Sequence, residues 1–257
     1  MMDYFLALGL LLFCYMSAWF VLSLVKKRND VADTAWGLGF MLLAWVSFYL
    51  GQAQGARGIL VGVLVSIWGM RLAWHIHRRN KDKAEDYRYA KWREEWGRWF
   101  YVRSYGQVYL LQGFLLFLIV FPILLINKSI GQDLGFLDFI GLAVWILGFM
   151  FESVADAELA RFIKDPANKG KLMQSGLWRY TRHPNYFGEV TMWWGIWCIA
   201  LSVPYGFFGI IGPITITILI LKVSGIPMLE KKMGENPEFA EYKRRTSMFI
   251  PWFRKSI

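Results

Sequence analysis

Seven stretches of this chain, at about 4–25, 34–52, 58–77, 105–126, 134–155, 187–204 and 206–225, are apolar over or close to the length needed to cross a bilayer. A helix covers a hydrocarbon core of about 30 Å with roughly 20 residues. Inside that core each backbone N–H and C=O must be satisfied within the segment, which forces the spans to be helical. The chain is therefore expected to be an all-α integral membrane protein with seven transmembrane helices. Its composition agrees, being 56% hydrophobic and 18% aromatic with 14 Trp. Soluble domains are about 45–50% apolar even with Gly counted, and disordered chains are poor in aromatics. The first stretch has no basic segment ahead of it and is too long for a signal-peptide core, so it reads as a retained span. Only Pro204-Tyr205-Gly206 joins the last two, which predicts a tight helical hairpin.

The charge then becomes a record of topology. With 29 Lys+Arg against 19 Asp+Glu, the net charge of +10 invites a nucleic-acid reading. Such a protein needs a basic solvated face, and little polar sequence is left here to make one. With seven spans, one side receives the basic residues at 26–28, nine in 78–104, six in 156–184 and eight from Lys222 onward. The other side receives only Arg57 and Lys128. The positive-inside rule places the N-terminus outside and the C-terminus in the cytoplasm. No nucleic-acid partner is implied. The only cysteines, Cys14 and Cys198, make neither a disulfide framework nor a cysteine-rich metal site. No repeat and no Pro/Gly/Ser linker divides the chain, so one membrane domain over 1–257 is expected.

Ionisable groups within spans are costly and mark functional sites by default. Asp30 and Asp33 stand at the start of the second span. Arg71, His75 and Arg78 share one face of the third, four and then three residues apart. Glu152 and Asp156 do the same near the end of the fifth. Each set could be an interhelical ion pair or a snorkelling end residue; together, at one membrane depth, they suggest a polar cavity. Between Arg78 and Tyr105, Trp92, Trp96, Trp99 and Phe100 fall on one helical face among charged residues. That pattern predicts an amphipathic helix lying in the interface and contacting membrane lipid. The Glu85-Asp86-Tyr87-Arg88-Tyr89 run before it packs opposite charges and two phenols beside the membrane.

The most specific stretch runs from Ser175 to Glu189 and contains Leu177-Trp-Arg-Tyr-Thr-Arg-His-Pro-Asn-Tyr-Phe-Gly-Glu189. Pro184 biases His183 to an extended conformation, and Asn185 suits the N-cap of the sixth span. A helix N-terminus attracts anions, so with Arg179 and Arg182 alongside, a phosphate cradle is expected. His183 has no second His or Cys at ligand spacing, and no metal site is expected. No Rossmann or P-loop glycine pattern follows a strand. Any nucleotide is then held by helices and loops.

This run, followed by Met192-Trp-Trp-Gly195, resembles the C-terminal signature of the steroid 5α-reductase family, and specifically its bacterial members. The tail from Glu230 through Glu241-Tyr242 to Ile250-Pro251-Trp252-Phe253 resembles the family's ending. The resemblance is strong over 150–257 and weaker over 1–149. It implies a seven-helix membrane reductase that takes NADPH from the cytoplasm and reduces a carbon–carbon double bond in Δ4-3-oxosteroids or related lipids. Residues 150–257 would then form the cofactor-binding region and 1–149 the substrate side, in a bacterial inner membrane, with no obligate protein partner. By motif, Asn185, Gly188 and Glu189 match cofactor-side positions, with Arg182, His183, Tyr186 and Arg179 beside them. Asp156 matches an acidic contact on the fifth span, with Glu152 one turn away. Tyr242, Glu230 and Arg71 match further cofactor-side positions.

One position departs from the family. Its animal members hold the steroid 3-oxo group with a glutamate on the second span and a tyrosine on the third. Here Asp33 stands for the glutamate, but Trp68 takes the tyrosine's place, and an indole only donates. Tyr87, Tyr89 or His75 must supply the missing group. Asp33 is expected to be the acid, because desolvation favours a protonated carboxyl. The main alternative is an S-adenosylmethionine-dependent methyltransferase resembling isoprenylcysteine carboxyl methyltransferase, which shares Arg-His-Pro-x-Tyr-x-Gly. A transporter or lipid-binding scaffold is a third reading, against which stands the lack of symmetry-related halves.

Overall fold

Apolar stretches of about 20 residues fold as helices, which satisfy their backbone within the segment, whereas a barrel strand would need only about 9–11 residues. A computed structural model describes residues 2–51, 55–80, 84–130 and 133–255, apart from the side chains of Arg79 and Tyr87. The main helices are α1 (Met2–Lys26), α2 (Val31–Leu50), α3 (Ala56–Asn80), α4 (Tyr87–Trp96), α5 (Phe100–Arg103) and α6 (Leu111–Lys128). After them come α7 (Phe136–Lys164), α8 (Pro184–Ala200), α9 (Ile211–Ile218), α10 (Ile226–Met233) and α11 (Phe239–Arg245). Among the described residues there is no strand; Thr181 and Ser247 form an isolated parallel bridge.

Among the described residues, six helical stretches are long and apolar enough to cross a membrane: Met2–Lys26, Val31–Leu50, Ala56–Arg78, Arg88–Lys128, Phe136–Lys164 and Gly206–Met233. The expected seventh, over 187–204, falls short of that length. Its helix, α8, starts at Pro184 and stops at Ala200 after 17 residues, about 25 Å at 1.5 Å per residue.

The chain divides into two compact units. The first comprises residues 1–134 with 203–211. In it, α2 packs along α3, α6 and α1. The α2–α3 contact is backbone to backbone: a Cβ on Gly37 would sit 2.9 Å from the Gly69 carbonyl oxygen. Buried polar groups tie the far ends together. The Tyr4 hydroxyl donates to the Ser47 and Leu124 carbonyls, and Asn127 Nδ2 donates to Ala44 O at 3.0 Å and Ser47 Oγ at 2.7 Å.

The second unit comprises 135–202 with 212–257, and its spine is the antiparallel pair α7 and α8. Glycines seven residues apart on each helix meet: Gly141 opposes Gly195 and Gly148 opposes Gly188. A Cβ on Gly188 would lie 2.5 Å from Gly148 O and Glu152 N, so only hydrogen fits. Small residues permit such close approach where lipid supplies no hydrophobic drive between helices. These notches commit α8 to α7. After α8 the chain turns at 201–205, and Trp194 Nε1 donates to Thr217 Oγ1 of α9 at 3.3 Å across that turn.

Candidate functional site

In the first unit, the α1–α2 corner and the start of α4 build one polar cluster. Asp86 caps α4, accepting from the Arg88 backbone N–H at 3.0 Å. That cap fixes the helix start and turns Arg88 and Tyr89 toward α2. Arg88 Nη2 donates to Asp33 Oδ2 at 3.0 Å, while the Tyr89 hydroxyl donates to Asp33 Oδ1 at 2.9 Å. Tyr89 is buried, and its partner carboxylate is 15% exposed. Behind this pair, Arg28 forks onto Asp30 at 2.7 and 2.5 Å. Glu85 accepts from the Asn29 N–H at 2.6 Å and from Arg93, whose guanidinium lies 4.1 Å from the Phe100 ring centre. A π-helical stretch, Ser104–Leu110, closes the cluster: Asn29 Nδ2 donates to Ser104 Oγ at 2.8 Å, and Tyr109 reaches Asn29 O at 3.4 Å. Such wide turns recur at functional sites.

This geometry revises the expectation for Asp33. With a guanidinium on one oxygen and a phenol on the other, Asp33 acts as the acceptor, and the donated proton of the pair belongs to Tyr89. Of the three groups expected to replace the missing tyrosine, Tyr89 sits on Asp33. His75 and Arg71 are half-buried on α3, one turn apart, and the side chain of Tyr87 lies outside the described residues. Trp68 is buried with its ring 5.4 Å from Phe40. The row Trp92, Trp96 and Phe100 stacks on itself, with 5.2 Å between the two indoles.

In the second unit, the α7–α8 notches bring signature residues together. Asn185 Nδ2 donates to Asp156 Oδ1 at 3.2 Å, joining the amide at the start of α8 to the acid near the end of α7. Glu152, one turn earlier on α7, is buried; Glu189 and Tyr186 on α8 are half-buried. The helix start itself differs from expectation. His183 is the N-cap residue and Pro184 the first helical residue, since proline lacks the N–H that a first turn leaves unpaired. Asn185 is thereby released for Asp156, and its Oδ1 accepts from the Tyr186 N–H at 3.0 Å.

Arg182 is a further correction. It is 4% exposed and committed to protein groups. Nε and Nη2 sit on Glu230 at 2.8 and 2.7 Å, and Nη1 donates to the Thr246 carbonyl at 2.7 Å and to Lys243 O at 3.3 Å. The expected phosphate ligand is instead a clamp on the C-terminal tail. His183 Nε2 also lies 3.2 Å from Glu230 Oε1, so both residues expected at the cofactor converge on that carboxylate. The tail adds its own ties. Tyr242 is buried and donates to Trp178 O at 2.6 Å, Trp178 Nε1 donates to Ala155 O, and Thr181 Oγ1 donates to Phe249 O at 2.8 Å. Burial pushes the Tyr242 phenol above its ordinary range, with Glu230 adding to the rise while Arg182 and Arg254 oppose it. Arg179, by contrast, is exposed at the end of the turn Gly176–Arg179, near exposed Lys169 and Lys171 in sequence.

Sequence reasoning missed Arg88 as the partner of Asp33 and the tail carbonyls as the partners of Arg182. The first had a local signal, since Asp86 two residues before Arg88 is an N-cap pattern. The second had none, because Thr246 and Lys243 contribute only backbone. Two open depressions of about 590 and 430 Å³ occur on the second unit, around Asn236–Glu238 and around Phe162–Lys171. The second is lined by Lys164, Lys169 and Lys171 of the basic 156–184 segment.

Among the described residues the chain is helical, with six apolar helices of bilayer length and charged clusters gathered at helix ends, the make-up of a multi-pass membrane protein. The chain belongs to the family described as protein of unknown function (DUF1295), which matches it over residues 19–246. That family is related to steroid 5α-reductase-like membrane proteins. An uncharacterized protein of Schizosaccharomyces pombe is 26% identical over 196 residues, covering 66% of this chain. The chain spans only 55% of the length of that relative. No solved structure matches the chain.

Proposed function

We propose that this chain is an NADPH-dependent membrane reductase that saturates a carbon–carbon double bond in a lipid enone, a Δ4-3-oxosteroid or similar. The observation that carries the reading is the Tyr89–Asp33–Arg88 arrangement in the first unit. It supplies a phenol held by a carboxylate, the pairing that the signature's family uses on an enone oxygen, although Trp68 stands where that tyrosine is expected. Enone reduction places negative charge on the carbonyl oxygen, and one preorganised donor there is worth about 2.7–4 kcal/mol. Tyr89 is assigned as that donor: its single O–H, given to Asp33 in the substrate-free protein, would turn to the enone oxygen when substrate binds, with Arg88 holding the Asp33 carboxylate in place.

The cofactor role is assigned to the second unit. NADPH, when bound, supplies the hydride. The Asp156–Asn185 pair, with Glu152 and Glu189 one turn from each, offers the mixed acceptors and amide donor that suit a carboxamide and ribose hydroxyls. Exposed Arg179, Lys169 and Lys171 suit phosphates, while Arg182 and Glu230 position the start of α8. The proposal keeps α8 as a sixth crossing, since 17 residues is the short end of the spanning range. It also keeps the N-terminus outside, α4 in the interface, and the basic 156–184 segment and tail in the cytoplasm of a bacterial inner membrane.

Thermal unfolding of the purified protein with each candidate cofactor tests the reading. NADPH at about 100 times its Kd should add about 2.7 kcal/mol of stability, and NADPH should be oxidised in the presence of at least one lipid enone from a panel. Protection by S-adenosylmethionine and none by NADPH would replace the reductase with the methyltransferase.

A further inference from the structure

The last residues of the second unit carry an apolar surface that the reductase reading does not use. Ile250, Trp252 and Phe253 are 64%, 67% and 78% exposed, and Met248 and Tyr180 beside them are also exposed. These side chains are not dangling. Trp252 donates its backbone N–H to Tyr180 O at 2.9 Å, the Phe253 ring sits 6.4 Å from Tyr180, and Phe249 rests 5.7 Å from Phe187 in the first turn of α8. The Arg182 clamp and the Thr181–Ser247 bridge hold the strand-like segment in place. The patch is therefore pinned at the level where α8 begins.

Its rim is basic. Between 241 and 255 lie Lys243, Arg244, Arg245, Arg254 and Lys255 against the single acid Glu241; Arg245 pairs Glu241 at 2.7 Å, Lys243 lies 3.8 Å from Glu230 and Arg254 donates to Gln174, which leaves Arg244 and Lys255 exposed beside them. A second copy of this surface would bring like charges together. An anionic lipid leaflet meets both properties at once, because interfaces favour Trp and Tyr and attract clustered Lys and Arg. We infer that Ile250, Trp252 and Phe253 dip into the anionic headgroup region of the bilayer that α8 enters, anchoring the tail to the membrane surface. The inference needs only a membrane-embedded α8 and stands whether or not NADPH is the cofactor.

The test uses the full chain in nanodiscs containing phosphatidylglycerol, with Cys14→Ser and Cys198→Ala as background. A single environment-sensitive fluorophore is placed at Phe253→Cys or, as an independent reporter, at Ile250→Cys, with Glu238→Cys as the exposed reference. Lipids spin-labelled near the headgroup should quench both tail reporters at least about twofold more than the reference, with blue-shifted emission. Replacing phosphatidylglycerol by phosphatidylcholine should reduce that difference. Equal quenching at all three positions with water-like emission would overturn the inference. So would reporter burial that appears only in discs holding two copies, which would assign the patch to self-association.

Discussion

The Tyr89 phenol has one proton to give and gives it to Asp33 at 2.9 Å, while Arg88 holds the other carboxylate oxygen at 3.0 Å. If that phenol polarises an enone, Tyr89→Phe removes the donor and leaves the ring in its buried place. The expected result is a fall in kcat of about 10²-fold, with thermal protection by NADPH unchanged, measured by NADPH oxidation and by unfolding on the same preparation. Retained activity would take the donor role from Tyr89. Asp33 and Tyr89 were both legible as candidates because charged and phenolic groups at a membrane boundary need a reason to be there. Which phenol serves Asp33 was not legible. The two residues are 56 positions apart, and the Asp86 cap that aims Tyr89 works through α4's orientation rather than through any spacing.

At the scale of elements, the α7–α8 pair depends on hydrogen atoms where side chains would otherwise be. Gly188→Leu puts a branched chain where even a Cβ meets Gly148 O at 2.5 Å, so the helices must separate. Overpacking of this kind costs about 1–3 kcal/mol or more, read as a lowered unfolding midpoint in detergent. Gly9→Ala is the matched control: nothing lies within 4 Å of its Cβ, and losing a helical glycine should be neutral or stabilise by up to about 1 kcal/mol. The Gly141/Gly148 and Gly188/Gly195 spacings were visible in the sequence, but spacing alone names no partner. Hydropathy likewise announced the 187–204 helix, but apolar length alone did not mark its stop at Ala200.

On the scale of the whole molecule, the tail is held to the signature loop by a buried charge network and a buried phenol, each with its own signature. Glu230→Gln leaves Arg182 without its counter-charge, a change that typically costs 3–5 kcal/mol for a buried pair. Trypsin cleavage at Lys243, Arg244 and Arg245 should then accelerate at least about tenfold; unchanged cleavage would mean the backbone bridge alone holds the tail. The Tyr242 phenol supplies the pH dependence. Its folded pKa is raised, so its contribution is present below the ordinary phenol value of about 10 and is lost as pH rises from there toward the folded value. The unfolding midpoint should therefore fall more steeply above about pH 10 in the native protein than in Tyr242→Phe. By itself, the sequence determined that this chain is helical and built for a bilayer, because its continuous apolar runs are of helix length and about twice that of a barrel strand, and a helix satisfies its own backbone in lipid. It also singled out Asp33, Tyr89, Asp156 and Asn185, whose chemistry is unusual for where they sit. Only the tertiary structure decided that Arg182 serves the tail, that Tyr89 serves Asp33, and that α8 belongs to α7. Those choices rest on partners brought together from distant positions, tail carbonyls for Arg182, a phenol 56 residues away for Asp33 and opposed glycines for α7 and α8, and no local spacing names such a partner.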